Sequence, residues 1–451
     1  VLDPGPLLGR LPDWREFLTL AELAASSAAL AAEFPGLVRR EVIGQSAEGR
    51  PIELVIIGHG RHPALLVGVP HPNEPIGTLT LEFLCRLLCE DADVRARLDA
   101  TLYVIKVADP DGLVLNEGWL KGAFSPARYA LHFYRPPHRE QVEWGFPVDY
   151  KTLRFPKPTP EAAAVMRAME RARPRFFLSL HNAAFCGVYF YASQRVPALF
   201  DAFAALVAAQ GLALHRGEPE VPYLRALAPG VYAQFGIAET YEYLARTLGG
   251  DPAAHLDAGT SSDDWLAHVC DAFSLVCELP YYTAPGLADP TPAGMSRREA
   301  LRAGLVREEA LVTECAAAFE PIAARVPDHR LTRSVRDYLR RAPAHLAAYR
   351  AEIEQPQYAR EATRAEALDA MVCKPFYRVL YLGEVFRLAD LVGEHALAER
   401  LRSRIEALAA ELARESELRV LPLRPLVAVQ AGAALLALSA LADGELGAAS
   451  S

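Results

Sequence analysis

Three stretches of this chain place metal-binding or proton-transferring side chains against apolar flanks. The first is PHPNEPIG (70–77), where His71 and Glu74 stand three apart, just after the apolar run ALLVGV. The second is FFLSLHN, which ends in His181; the third is SLVCELP, which contains Glu278. Two imidazoles and one carboxylate are enough to hold zinc tetrahedrally with one position left open. A separate carboxylate beside that opening can take a proton from water and later hand it to a leaving amine. Glu278 suits the second role, because an unpaired carboxylate among apolar neighbours is costly to bury unless it faces a metal or another partner. Plainer readings exist for the same residues. His71 and Glu74 could be polar residues of a surface turn, His181 a hydrogen-bonded strand-end histidine, and Glu278 the partner of an arginine. Spacing alone leaves both readings open.

For these side chains to meet, three strand ends must converge. The alternation of apolar segments with helical ones supplies such strands. LVRREVIG and RPIELVIIG read as two strands joined by a Ser/Gly turn, followed by PALLVGVP, TLYVIKVAD, PRFFLSLHN and FSLVCELPYY. Helices are expected over 13–34, IGTLTLEFLCRLLCED, PEAAAVMRAMERAR and ALFDAFAALVAAQG. Residues 113–158 read as irregular, rich in aromatics, Arg and Pro. This order indicates an α/β domain with a mixed, largely parallel sheet, and ligands in such sheets bind where strands end in loops. After about residue 296 the strand pattern stops. Helices are expected over 330–353, 359–372, 375–394, 395–416 and 425–442. The reading is a domain over 1–326 and a helical C-terminal region over 327–451 that packs on it, covers its cleft as a lid, or forms a homodimer.

Composition narrows the class. Of 451 residues, 51% are hydrophobic and 23% charged, enough for a large core. A net charge of −9 and the lack of a Lys/Arg stripe exclude nucleic acid as the expected partner. The seven cysteines form no CxxC pair, and an odd, sparse count suits a reducing compartment. The N-terminal stretch VLDPGPLLGRLPDW lacks the basic and apolar regions of a leader, so a cytoplasmic location is expected. The most apolar stretch, 426–442, contains Gln430 and is short for a bilayer span, so a buried helix is expected there and no membrane partner.

The order of the segments resembles the zinc carboxypeptidase family (carboxypeptidase A/B-type metallopeptidases). EFPGLVRREVIGQSAEGRPIELVIIG (33–58) is similar to that family's lead-in, and PHPNEPIG matches its HxxE metal segment. ADPDG, PVDY…RFPKPTPEAAAV, FFLSLHN, DAGTSSDDW and CELPYY follow in the family's order. Several collinear segments are far more specific than one motif. The resemblance implies a three-layer α/β/α sandwich around a sheet of about eight strands. It also implies one Zn2+ per chain on His71, Glu74 and His181, with Glu278 as general base and then proton shuttle.

Departures from the family concern the substrate. Where the family has an Arg that polarises the scissile carbonyl, Trp119 is followed by Leu120 and Lys121; Lys121, Arg128 and Arg135 are the candidate replacements. The family's Asn-Arg pair for the substrate carboxylate falls within Asp149–Pro156, where Lys151 and Arg154 are the available cations and no Asn is present. Leu256 stands where a closing Tyr is expected, with His255 beside it. Asp263 falls at the family's side-chain pocket position and reads either as a reader of basic side chains or as a helix cap. The expected function is zinc-dependent hydrolysis of a peptide or amide bond, most simply by a carboxypeptidase. The alternatives are an amidase or deacylase acting on a modified peptide or acyl amino acid, and a catalytically silent peptide-binding protein.

Overall fold

The computed structural model describes residues 2–446. Its centre is a ten-stranded mixed sheet. In chain order the strands are β1 (Val38–Gln45), β2 (Pro51–Ile57), β3 (His62–Gly68), β4 (Ala100–Ile105), β5 (Phe176–Phe185), β6 (Tyr189–Ala192), β7 (Ala226–Ala228), β8 (Val231–Ala233), β9 (Phe273–Thr283) and β10 (Arg419–Val420). They lie side by side as β1-β2-β4-β3-β5-β9-β6-β8-β7, with β10 paired to β9. The central run β4-β3-β5-β9 is parallel throughout. Parallel neighbours end at the same edge, so the loops after β3 and β5 and the upper part of β9 emerge together.

Residues alternate between the two faces of each strand. Leu66, Leu102, Val104, Leu178 and Leu180 pack on one side, under helix α1 (Ile76–Glu90). Leu65, Val67, Ile105 and Phe177 pack on the other, under helix α2 (Pro160–Ala172). Thr159 caps α2 by accepting from the Ala162 backbone N–H, and Pro160 opens its first turn. The result is the expected three-layer α/β/α sandwich. The sheet has ten strands rather than about eight; the short strands β6, β7, β8 and β10 are not among the six read from the apolar pattern.

The stretch 113–158 is more regular than expected. Helices Pro110–Leu120 and Pro126–His132 fill part of it, each started by Pro and capped by Asp109 or Ser125. From about residue 296, where the strand pattern was expected to stop, the chain is mainly helical, beginning with α3 (Arg297–Ala323). It continues through α4 (Arg330–Glu352), α5 (Lys374–Leu391), α6 (His395–Ser416) and α7 (Leu423–Ala442). One buried apolar cluster runs from Leu8 to Leu446, so these helices share the core of the sandwich.

Helix α7 is long and apolar enough to cross a bilayer, yet 89% of that window is buried inside the protein. Its Gln430 is buried and points into the sheet. The Gln430 amide donates to the carbonyls of His181 (3.0 Å) and Cys277 (3.2 Å), and its Oε1 accepts from the Thr80 hydroxyl (3.0 Å). It therefore joins β5 and β9 at the level where His181 and Glu278 are register partners. Gln430→Leu keeps the bulk and removes these bonds from a dry site. The expected loss is about 1–3 kcal/mol, read as a lower urea midpoint with an unchanged slope. An unchanged midpoint would show that the clamp contributes nothing.

Candidate metal centre

Strand β3 ends at Gly68, and the next residue, Val69, is β-branched and held at φ 53°. That left-handed conformation costs a side chain of this shape on the order of 1–3 kcal/mol, and such strain persists where surrounding packing enforces it. It turns the chain sharply into Pro70 and His71. The turn is wedged from outside: a Cβ on Gly112 would lie 2.5 Å from Pro72, so the Asp109–Gly112 corner seats directly on it. From inside, the Tyr281 hydroxyl donates to the Asn73 carbonyl (2.8 Å) and the Asn182 side chain accepts from the Ile76 N–H (3.1 Å).

His71, Glu74 and His181 are buried, and one ligand atom from each lies within 4.8 Å of the others. Glu74 Oε1 is 3.1 Å from His71 Nδ1, and Glu74 Oε2 is 3.0 Å from His181 Nδ1. His71 Nε2 has no hydrogen-bond partner, and Nδ1 has only the Glu74 contact, whose alignment is too poor for a well-formed bond, although both are sealed from solvent. Desolvation, followed by the Arg135 charge, pushes the His71 imidazole down to about 4. Burial by itself would raise Glu74, but His71, His181 and Arg135 hold it well below the usual carboxylate range. A neutral, unbonded imidazole and an ionised carboxylate are the protonation states a metal ligand needs. The orphaned His71 nitrogens are the structural sign that these residues fit a cation, since buried polar atoms without partners are rare otherwise.

The orientation of His181 has its own support. Its Nε2 lies 2.8 Å from the Ser179 hydroxyl, two residues back on the same strand face, and 3.8 Å from Glu143 Oε2. That leaves Nδ1 aimed at Glu74. Glu143 is buried and accepts from both the backbone and the hydroxyl of Ser262. Partners of this kind fix the ring and the tautomer of a ligating histidine.

Glu278 lies across β5 from the turn, with Oε1 3.9 Å from His181 Nδ1. Its Oε2 is buried without a hydrogen-bond partner. Desolvation pushes its carboxyl well above the ordinary value, partly opposed by His181. His71, Glu74 and Glu278 line one cavity of about 820 Å³, and His181 meets Glu74 beside it.

The candidate cations separate sharply. Arg135 enters the site: its Nη1 donates to Glu74 Oε1 at 3.1 Å. Helices α4 and α5 hold its backbone, with the Ser334 hydroxyl donating to its carbonyl (2.7 Å) and its N–H donating to Glu384 (3.1 Å). Lys121 is instead paired with Glu22 at 2.7 Å, and Arg128 donates to the Gly118 carbonyl, tying two helices together. Neither lines the cavity. Lys151 sits at the tip of the hairpin formed by Val148–Tyr150 and Leu153–Phe155, paired with Glu242. Arg154 bonds the Leu153 carbonyl (2.9 Å) and Asp149 (3.1 Å) and faces a different surface hollow. The longer stretch between Asp149 and Pro156 folds on itself, which turns both cations away from the cleft. Asp263 also lies off the cavity, beside Glu143, where desolvation and that neighbouring charge push it up to about 8. Ser261, not Asp263, caps the helix Ser262–Val269. His255 lines the cavity, as does Leu256.

Sequence reasoning did not single out Glu143, Ser179 or the cavity wall built from α4 and α5. Only Ser179, two before His181 in an otherwise apolar strand, carried a local signal.

An α/β/α sandwich with a buried His–Glu–His set, two residues on the turn after β3 and His181 inside β5, which runs on to Phe185 and does not end at the histidine as expected, is the class of protein this geometry defines. A model of the family described as zinc carboxypeptidase matches residues 23–283, more than half of the chain. The chain belongs to the zinc carboxypeptidase family, whose members are zinc-dependent metallopeptidases. Among solved structures it is similar to carboxypeptidase A from Helicoverpa armigera, with 16% identity over 59% of this chain and 65% of that one, at a TM-score of 0.39. It is also similar to a metallo-carboxypeptidase from Burkholderia cenocepacia (17% identity, 58% of this chain, 60% of that one, TM-score 0.35). A third is the metallo-carboxypeptidase from Pseudomonas aeruginosa in complex with (2-guanidinoethylmercapto)succinic acid (20%, 56% and 58%, TM-score 0.33). The chain spans less than two thirds of the length of each of these. No curated protein matches it.

Proposed function

We propose that this chain hydrolyses a peptide or amide bond in a zinc-dependent reaction. The observation that carries this reading is the convergence of His71, Glu74 and His181 with Glu278 at a single cavity. Zinc, when bound, supplies Lewis-acid polarisation of a carbonyl and makes water more acidic near neutral pH. His71, Glu74 and His181 would hold it, and Ser179 and Glu143 would keep His181 in its ligating orientation. Glu278 accepts a proton from the attacking water and transfers it to the departing amine nitrogen. Its buried, unpartnered Oε2 is the atom free to do so. Arg135 is the one candidate cation at the site, and its guanidinium stabilises negative charge developing on the carbonyl oxygen. The site lies away from bulk water, where such a charge interaction is strong.

The chain purified without chelator is expected to carry about one equivalent of zinc, by the ligand count of a catalytic site. Chelation should abolish hydrolysis of an amide panel, and zinc should restore it. Stoichiometry below half an equivalent, with no rebinding, would overturn the reading.

A further inference from the structure

Helix α4 lies beyond the family match, yet it forms part of the wall of the cavity that holds Glu278. From Arg330 to Arg340 one face of this helix is bonded to the sandwich. Arg330 donates to the buried Asp111 (2.7 Å), Arg333 to Glu140 (3.0 Å), and the Ser334 hydroxyl to the Arg135 carbonyl (2.7 Å). Asp337 accepts from the His138 N–H (3.0 Å), and Arg340 donates to Asp257 (3.1 Å). Residues three or four apart share a helix face, so these bonds fix both the position and the rotation of α4. The same face continues as Arg341, Ala344, His345, Ala348 and Tyr349, and there it lines the cavity. At the far end α4 meets the helix Ile237–Thr247, where desolvation, with Glu352 and Tyr349 beside it, raises the Tyr243 phenol. The helix is thus supported on both sides of the space it covers. That space is a chamber rather than a surface groove. His345 has exposed surface, yet desolvation, followed by the charges of Arg378, Arg341 and Lys374, pushes its imidazole down to about 3. Tyr377 and Tyr381 on α5 are only half-buried, yet desolvation raises both phenols. Side chains that touch open space while remaining desolvated face an enclosed volume. Ala254 and His255 are exposed and line the cavity as well, which puts its opening at the 252–257 loop. Asp257 in that loop is held by Arg340 and by Arg139 (3.5 Å).

We propose that α4 is a fixed roof that restricts this site to small amides, of the size of an acyl amino acid or acyl dipeptide, and excludes the ends of long polypeptides. This rests on the hydrolase reading above and names its substrate class by size. The cavity of about 820 Å³ falls within the range of about 300–1,000 Å³ in which pockets enclose most of a small-molecule ligand. A longer acyl chain would have to leave past Asp257 and its two arginines. The bonds from Arg330 to Arg340 oppose the movement of α4 that would widen that passage.

Enclosure is tested without turnover. Ala344→Cys, on the chamber face of α4, is introduced into the full chain and treated with N-ethylmaleimide or with a maleimide carried on a long polyethylene glycol chain. Peptide mapping separates position 344 from the seven native cysteines. The small reagent is expected to label position 344 in the folded chain, and the large one only after unfolding in urea. Labelling by both in the folded chain overturns the proposal. So does labelling by neither, since the chamber must admit a small guest. If Ala344→Cys does not fold, His345→Cys is read in the same way. The size limit is then tested on the wild-type chain, with a panel of N-acetyl dipeptides against decapeptides that end in the same two residues. On the decapeptide kcat/KM is expected to fall by about 10²-fold, the cost of misplacing a scissile bond by about 1 Å. Comparable values on the two overturn the proposal. Absence of hydrolysis of every amide overturns the hydrolase reading separately, and the labelling still decides whether α4 encloses the chamber.

Discussion

Glu278→Gln is expected to lower kcat for amide hydrolysis by about 10²–10⁴, the usual worth of a positioned general base. The substitution preserves size and removes the proton acceptor. Zinc content should stay the same, because Glu278 is not among the three atoms that converge as ligands. Folding stability should not fall. The carboxyl has one buried oxygen without a partner and is pushed by desolvation toward its neutral form, so a neutral amide of the same size breaks no bond there. The combination of lost turnover, retained metal and retained stability separates a catalytic role from a structural one. Activity within about twofold of wild type would remove Glu278 from the mechanism.

Ending the chain after residue 326 is expected to abolish folding rather than release a smaller active domain. Helix α7 alone buries Leu426, Val427, Val429, Leu435, Leu436, Leu438 and Leu441 against the sheet and α1. Each such side chain contributes about 1.5–3 kcal/mol when buried, while a whole domain is stable by only about 5–15 kcal/mol. Removal would also leave the carbonyls of His181 and Cys277 without Gln430, and Arg135 without its anchors on Ser334 and Glu384. Soluble expression and circular dichroism decide this. A truncated chain that is monodisperse, with native-like dichroism, would show that 327–451 is a separable module.

The helical C-terminal region thus bears on the candidate site in two ways. It holds the backbone of Arg135, the cation that reaches Glu74, and it presents Lys374, Arg341 and Arg378 to the same cavity. None of this was legible in its sequence. RLTRSVRDYLRRAPAHLAAYRAEI shows one apolar and one basic face, and a basic face is equally at home in solvent or along a cleft.

The buried strands were legible, though not where they end, because burial imposes a rule on every residue of a parallel strand. ALLVGV, FFLSL and SLVC are apolar without interruption, so the polar residue that breaks each run stands out. His71, Glu74, His181 and Glu278 were visible in this way, and so was the α/β alternation that brings them to one edge. Gln430 stood out for the same reason inside α7. The cations were not legible, because long charged side chains obey no burial rule and find partners wherever the loops carry them. Lys121 found Glu22 and Lys151 found Glu242, each by a route that depends on the local fold of an irregular stretch. The sequence by itself determined the core strands of the sheet, the candidate metal-binding set and the candidate base, all consequences of apolar patterning. Only the tertiary structure decided which charges surround that set, because those charges come from segments far apart in the chain, and nothing short of packing brings them to one cavity.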